Sequence, residues 1–193
     1  GSVVPTACQT CPPGFEREAG APACVKCPKG NAQLGGEGTA CSACSEGTYS
    51  NFNGSVLCFD CAMGSHSPQP GAATCTACPI GKFSESPGSA SCSLCPVGGF
   101  CASVGAASAS MTFEQCAAGS YNPDRGASDS SACIGCVAGK ANPVPGSSNA
   151  SVCLNCLPGS VSPSAGYPVC ALCGTGKFQR AYGQTACDTC MPG

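Results

Sequence analysis

Helical periodicity is absent from the apolar positions of this chain, and Pro or Gly interrupts every window in which it could build up. No apolar run approaches the roughly 20 residues of a membrane-spanning helix. The pattern that does recur is shorter. A glycine follows each cysteine pair, and a ring or small apolar residue often stands two places beyond it. That slot holds Tyr49, Phe83, Phe100, Tyr121 and Phe178, with Phe15 one place early, and Ala32, His66, Ala141 or Val161 elsewhere. A polar stretch then ends at a second glycine four residues before the next cysteine, as at Gly20, Gly54, Gly71, Gly88, Gly166 and Gly183. Two closely spaced turns predict a loose hairpin in each unit. One side chain per unit is left to lie over a nearby disulfide.

The cysteines set the period. Ten Cys-x-x-Cys pairs begin at Cys8, Cys24, Cys41, Cys58, Cys75, Cys92, Cys133, Cys153, Cys170 and Cys187, most of them 17 residues apart. Counted by the second cysteine, and with Cys116 included although Phe113 stands where its partner belongs, eleven modules read Cys-x-x-Gly, from Gly14 to Gly193. A glycine fixed at that point fits a turn with positive φ, which costs any residue that carries a Cβ. The expected fold class is therefore small and disulfide-rich: an elongated tandem array of about eleven short loop or β-hairpin modules of about 17 residues, with little regular secondary structure. The organisation reads as an N-terminal run of Cys-rich modules over 1–101, an irregular insert or hinge over 102–115, and a C-terminal run over 116–193, with both ends cut mid-module. A globule of this length has a radius of gyration of about 16 Å. Eleven modules advancing about 10 Å each span on the order of 100 Å, so a rod is expected.

Connectivity is open between three schemes. The second cysteine of one pair closes a loop with the first of the next, neighbouring pairs interleave, or each Cys-x-x-Cys closes on itself. The first scheme is preferred because it treats every module alike and absorbs the irregular tract. It joins Cys11–Cys24, Cys27–Cys41, Cys44–Cys58, Cys61–Cys75, Cys78–Cys92, Cys95–Cys101, Cys116–Cys133, Cys136–Cys153, Cys156–Cys170 and Cys173–Cys187. Cys8 and Cys190 are then left for intermolecular or external partners, by head-to-tail self-association or continuation of a longer array. Interleaving leaves no end cysteine over, but gives neighbouring modules unlike roles.

Composition sharpens this picture. Leu, Ile, Val and Phe total 26 of 193 residues and Trp is absent. That lies below the level of about 20 % expected of an ordinary core. Cysteine supplies 22 residues, above the level of about 8–10 % that marks a disulfide scaffold. Such usage belongs to an oxidising compartment. The chain is expected to be extracellular or at the cell surface, reached through the secretory pathway, with no signal peptide visible in this stretch. Net charge is −2 and the eight Lys and Arg are scattered, which argues against nucleic acid as a partner. Direct membrane insertion is not expected.

Candidate chemistry is sparse. Evenly spaced cysteine pairs without a recurring His argue against zinc sites, and no pair has the βαβ setting of a redox motif. His66 is the one histidine, and it is expected to cap a loop core or face solvent. No nucleophile motif or carboxylate cluster appears, so no enzyme, metal or cofactor is expected. Asn53-Gly54-Ser55 and Asn149-Ala150-Ser151 are N-glycosylation sequons within loops, so glycans are expected at Asn53 and Asn149.

The string Cys-x-x-Cys-Pro-x-Gly-x-Phe/Tyr, followed after roughly ten residues by Cys-x-x-Cys, is clearest at 75–95 and 41–61. It resembles the ephrin-receptor-like cysteine-rich repeat. The single-loop segment is also similar to the first submodule of tumour-necrosis-factor-receptor cysteine-rich domains, whose loop is closed by one disulfide. That resemblance implies the first pairing scheme. It departs at residues 101–116. The resemblance implies a non-enzymatic extracellular structural protein, a disulfide-stapled rod serving as stalk, coat or fibril element. The alternative is a ligand-binding cysteine-rich receptor ectodomain. For that role Phe52, Phe59, Phe113, Tyr167 and Tyr182, which lie off the repeat register, would have to gather into a hot spot for a protein ligand.

Overall fold

The structure, a computed structural model, describes residues 10–17, 23–35 and 39–191; Cys8, Gly20 and Gly193 lie outside the described residues. Strands of two or three residues pair into ten two-stranded hairpins, and among the described residues no sheet grows wider. Nine of the ten hairpins have the same origin. The chain turns at the Cys-x-x-Gly glycine and runs out as the first strand. It comes back as the dipeptide between the cysteines of the next pair. In the module closed by Cys44 and Cys58, Thr48 pairs with Asp60 and Tyr49 with Phe59. The Cys61 N–H donates to Gly47 O at 2.9 Å and closes the ladder. The Cys-x-x-Cys spacing is thus one strand long. Its first cysteine ends a loop and its second begins the next.

A lone hairpin of this size is marginal in water. Two devices hold these. The first is covalent: the structure joins the second cysteine of one pair to the first of the next in ten disulfides, from Cys11–Cys24 to Cys173–Cys187. The second is a repeated set of backbone hydrogen bonds between modules. Ser67 shows the pattern. Its carbonyl accepts from Gly47 N–H at 2.8 Å, one module back, and its N–H donates to Ser89 O at 3.2 Å, one module on. Alongside, Gly88 N–H donates to Cys61 O at 2.8 Å. The same bonds recur around Ser50, Ser84, Asn122, Asn142 and Ser162. They satisfy backbone groups that two-residue strands leave unpaired.

The chain forms two compact units. One comprises Gly1–Cys78, Ser84–Ser93 and Gly105–Ser108, and the other Pro79–Phe83, Leu94–Val104 and Ala109–Gly193. The first holds the five disulfides up to Cys78–Cys92, and the second holds the five from Cys95–Cys101 onward. In both, the buried apolar residues are mostly cysteines, joined among the described residues by Ala32, Phe100, Ala106, Ala141 and Val161. Sulfur fills the space that aliphatic side chains fill in an ordinary domain.

Two loops are longer than the rest. Cys116–Cys133 and Cys136–Cys153 span 17 residues, where their regular neighbours span 14. The three added residues in each form one 3-10 turn, Ser130–Ala132 or Ala150–Val152. Asp129 and Asn149 cap these turns by accepting the N–H of Ser131 and Ser151.

Residues 102–115, expected as an insert or hinge, contain a turn at Gly105, the helical turn Ala109–Thr112, and the strand Phe113–Gln115 paired with Gly99–Cys101. Gly105 makes the usual bond of a second turn glycine, its N–H donating to Cys78 O at 2.7 Å.

Candidate functional site

The surface of interest is the repeat itself, so each predicted residue is placed by its register. Within a pair the second cysteine is buried up to Cys156, with Cys27, Cys44, Cys61, Cys78 and Cys95 fully so, while Cys173 is half-buried and Cys190 exposed; the first is mostly half-buried. In the regular staples up to Cys78–Cys92, solvent therefore meets the second-named cysteine more than the first.

The irregular staple has a packing explanation. Cys101 stands three places after Gly98, the slot that holds Ser50, Ser67 or Ser84 in other modules, and it bonds Cys95 from there. Phe113 occupies the place of the missing cysteine. Its ring lies so close to Gly99 that a Cβ at Gly99 would come within 2.6 Å of it. A ring thus takes the volume of the absent disulfide, and glycine makes room for the ring.

That third residue after the glycine is the position sequence reasoning passed over. Gln33, Ser50, Ser67, Ser84, Asn122, Asn142 and Ser162 are all buried polar residues. Ser50 Oγ donates to Ser55 Oγ at 2.7 Å, and Ser84 Oγ to Ser89 Oγ at 2.7 Å. The longer amides bridge backward instead: Asn122 Nδ2 donates to Gly99 O at 2.8 Å and Asn142 Nδ2 to Ser120 O at 3.0 Å. A polar residue, Ser or Asn in six modules, recurring at one place was the available signal.

The aromatic slot is filled unevenly. Phe100 is buried, and Tyr49, Phe83, Tyr121 and Phe178 are half-buried. Tyr49 meets Phe59 with ring centroids 6.0 Å apart. Of the off-register rings, Phe52, Phe59 and Tyr182 are exposed, while Phe113 and Tyr167 are half-buried.

His66 does more than fill its slot. Its Nδ1 lies 3.0 Å from Thr76 O and 3.2 Å from Cys92 Sγ, in the disulfide of the following module. His66, Cys78 and Cys92 are the one trio of potential metal ligands brought together among the described residues, with their donor atoms within 4.8 Å of one another. Cys78 and Cys92 are bonded to each other, so their sulfurs are not thiolates open to a cation.

Asn53 and Asn149 are both exposed. Asn53 Oδ1 accepts from Lys29 N–H at 3.1 Å. Asn149 Oδ1 accepts the N–H and the hydroxyl of Ser151. Both contacts use the side-chain oxygen, and a glycan is attached at the nitrogen. At the other cap, the hydroxyl and N–H of Ser131, then the hydroxyl of Ser128, hold the Asp129 carboxyl below its ordinary value. Cys190 is exposed and has no disulfide partner among the described residues.

No helix among the described residues is long and apolar enough to cross a membrane. A search of curated proteins found no match to the chain. Residues 71–111 match the family model described as tyrosine-protein kinase ephrin type A/B receptor-like, a module family that is non-catalytic. Ten disulfides together with that module suggest an extracellular, disulfide-rich protein. The regular series of ten disulfides makes this chain a cysteine-rich repeat array, and within it residues 71–111 are similar to the ephrin-receptor-like module.

Proposed function

We propose that the chain is a non-enzymatic structural element of a cell surface or extracellular coat, delivered by the secretory pathway, in which stapled modules repeat to form a stalk, coat or fibril rod. The observation that carries this reading is the uniform module-to-module hydrogen bonding. Gly30, Gly47 and Gly64 each donate to the residue 20 places on, at 2.8, 2.8 and 2.9 Å. Gly119, Gly139 and Gly159 repeat the bond with small changes of spacing. An interaction that each module offers identically to the next propagates without limit, as in other repeat proteins. Exposed Cys190 extends the same logic, since the second cysteine of every other described pair closes onto a following module. Its partner would come from a further module or a second copy.

Small-angle scattering and electron microscopy of the native material test this. A maximum dimension on the order of 100 Å, together with fibrils or a layered coat, is the expected result. Isolated globular particles overturn it. The second reading, a ligand-binding ectodomain, draws on an apolar groove of about 360 Å³ whose lining includes Leu157, Pro158, Pro168, Val169 and Leu172. Isolated particles carrying a bound protein would favour that reading.

Sugar on both loops completes the proposal. Enzymatic deglycosylation of secreted protein is expected to convert Asn53 and Asn149 to Asp, with a matching fall in mass. Unmodified asparagine at both positions removes glycans from the account.

A further inference from the structure

We infer that His66 makes Cys78–Cys92 a site of thiol exchange, the one staple of the array poised to accept a low-molecular-weight thiol as a mixed disulfide on Cys92.

Staples that close loops of the same length offer no reason for one to differ in chemistry, except for its neighbours. Cys44–Cys58, Cys61–Cys75 and Cys78–Cys92 close loops of the same 14-residue separation. In each, the cysteine that opens the loop, Cys44, Cys61 or Cys78, is fully buried, and the one that closes it, Cys58, Cys75 or Cys92, is half-buried. Only Cys78–Cys92 has an imidazole against it, because His66 is the sole histidine of the chain. The slot it occupies carries Tyr49 and Phe83 in the modules on either side, neither of which moves protons at neutral pH.

The burial asymmetry fixes the direction of attack. An incoming thiol reaches the half-buried Cys92 more readily than Cys78, which is 0 % exposed. Sulfur of the thiol bonds to Cys92 Sγ as the Sγ–Sγ bond breaks, and the electron pair leaves on Cys78 Sγ. A thiolate released in that buried place is costly unless it is neutralised at once. His66 supplies the proton. A carbonyl only accepts, so the 3.0 Å contact with Thr76 O puts a hydrogen on Nδ1. The donor atoms of His66 and Cys78 lie within 4.8 Å of each other, so a small rotation of the ring brings the two together. The imidazole takes the proton of the incoming thiol on Nε2 and gives the Nδ1 proton to Cys78 Sγ. One thiol and one disulfide become one mixed disulfide and one thiol, and no external oxidant or reductant is consumed. Elsewhere the same leaving thiolate has no imidazole beside it.

The test is mapped exchange on the intact, oxidised chain with glutathione at low stoichiometry, quenched by acid and alkylation and read by peptide mass spectrometry. Cys78–Cys92 is expected to open at least about tenfold faster than Cys44–Cys58 and Cys61–Cys75, with glutathione on Cys92 and the alkyl label on Cys78. In His66→Phe, a side chain the neighbouring module already carries at this slot, its rate is expected to fall to that of the other two. Equal rates for the three staples in the natural chain overturn the inference. So does glutathione found on Cys78, or a rate unchanged in His66→Phe.

Discussion

Complete reduction of the disulfides unfolds the described modules at room temperature with no denaturant present. The buried apolar set is mostly cysteine, and no described module contains more than one hairpin of two- or three-residue strands. Little of the usual hydrophobic driving force is left once the bridges open. A closed loop of about 15 residues restricts the unfolded chain by roughly 3 kcal/mol in the chain-entropy model. Nine of the ten loops have separations of 13 to 17 residues. Their combined effect exceeds the net stability of about 5–15 kcal/mol that a typical domain possesses. Reduced and alkylated protein should therefore lose amide-exchange protection at Ser50, Ser67 and Ser84 together. Its radius of gyration should reach that of a denatured chain, about 47 Å for this length. Persistent protection at those amides after alkylation would mean that hydrogen bonding and side-chain packing suffice without sulfur. Opening a single staple acts locally. Cys44→Ser with Cys58→Ser should cost about 3 kcal/mol in its own module.

The cysteine spacing and the turn glycines made the module readable before any coordinates. Gly47 needs positive φ, and Cys58 must come back within reach of Cys44, so a closed hairpin follows from local constraints. Three features were not readable, for different physical reasons. The bonds at Ser67 run through backbone N–H and C=O, which every residue has, so the sequence records only that the side chain there is small and polar. The second turn glycines Gly126 and Gly146 were displaced from their usual distance to the next cysteine by the 3-10 turns at Ser130–Ala132 and Ala150–Val152. The neighbour of His66 is a sulfur 26 residues further along. Its identity depends on how one module lies on the next, which no local pattern encodes. Phe113 is an intermediate case: it was visible as a misfit in the cysteine register, and Gly99, which accommodates its ring, is explained only by their contact.

Gly64→Ala is expected to break the stacking of the modules around it, whereas Gly159→Ala is tolerated at modest cost. The two glycines hold the same place in their modules and nearly the same backbone, with φ of 80° and 84°. A Cβ in that left-handed region costs roughly 1–2 kcal/mol at either site. Their surroundings differ. At Gly64 an added Cβ would overlap the carbonyl oxygen of Gly105, two modules on, a backbone atom that no rotamer change can move aside. At Gly159 an added Cβ meets nothing within 4 Å. Gly64→Ala must therefore displace the turn at Gly105 and with it the bonds from Gly105 N–H to Cys78 O and from Ser84 N–H to Ala106 O, at 2.7 and 3.1 Å. Amide exchange at Ser84 and Gly105 should accelerate by about a hundredfold or more, whereas Gly159→Ala should change its own neighbourhood by about tenfold, with each tenfold step equal to about 1.4 kcal/mol. Disulfide mapping of both variants should return the natural pairs, because the staples lie within modules and the damage lies between them. Equal acceleration in the two variants would reduce the glycine requirement to backbone conformation alone and remove close stacking as the reason the repeat keeps its register.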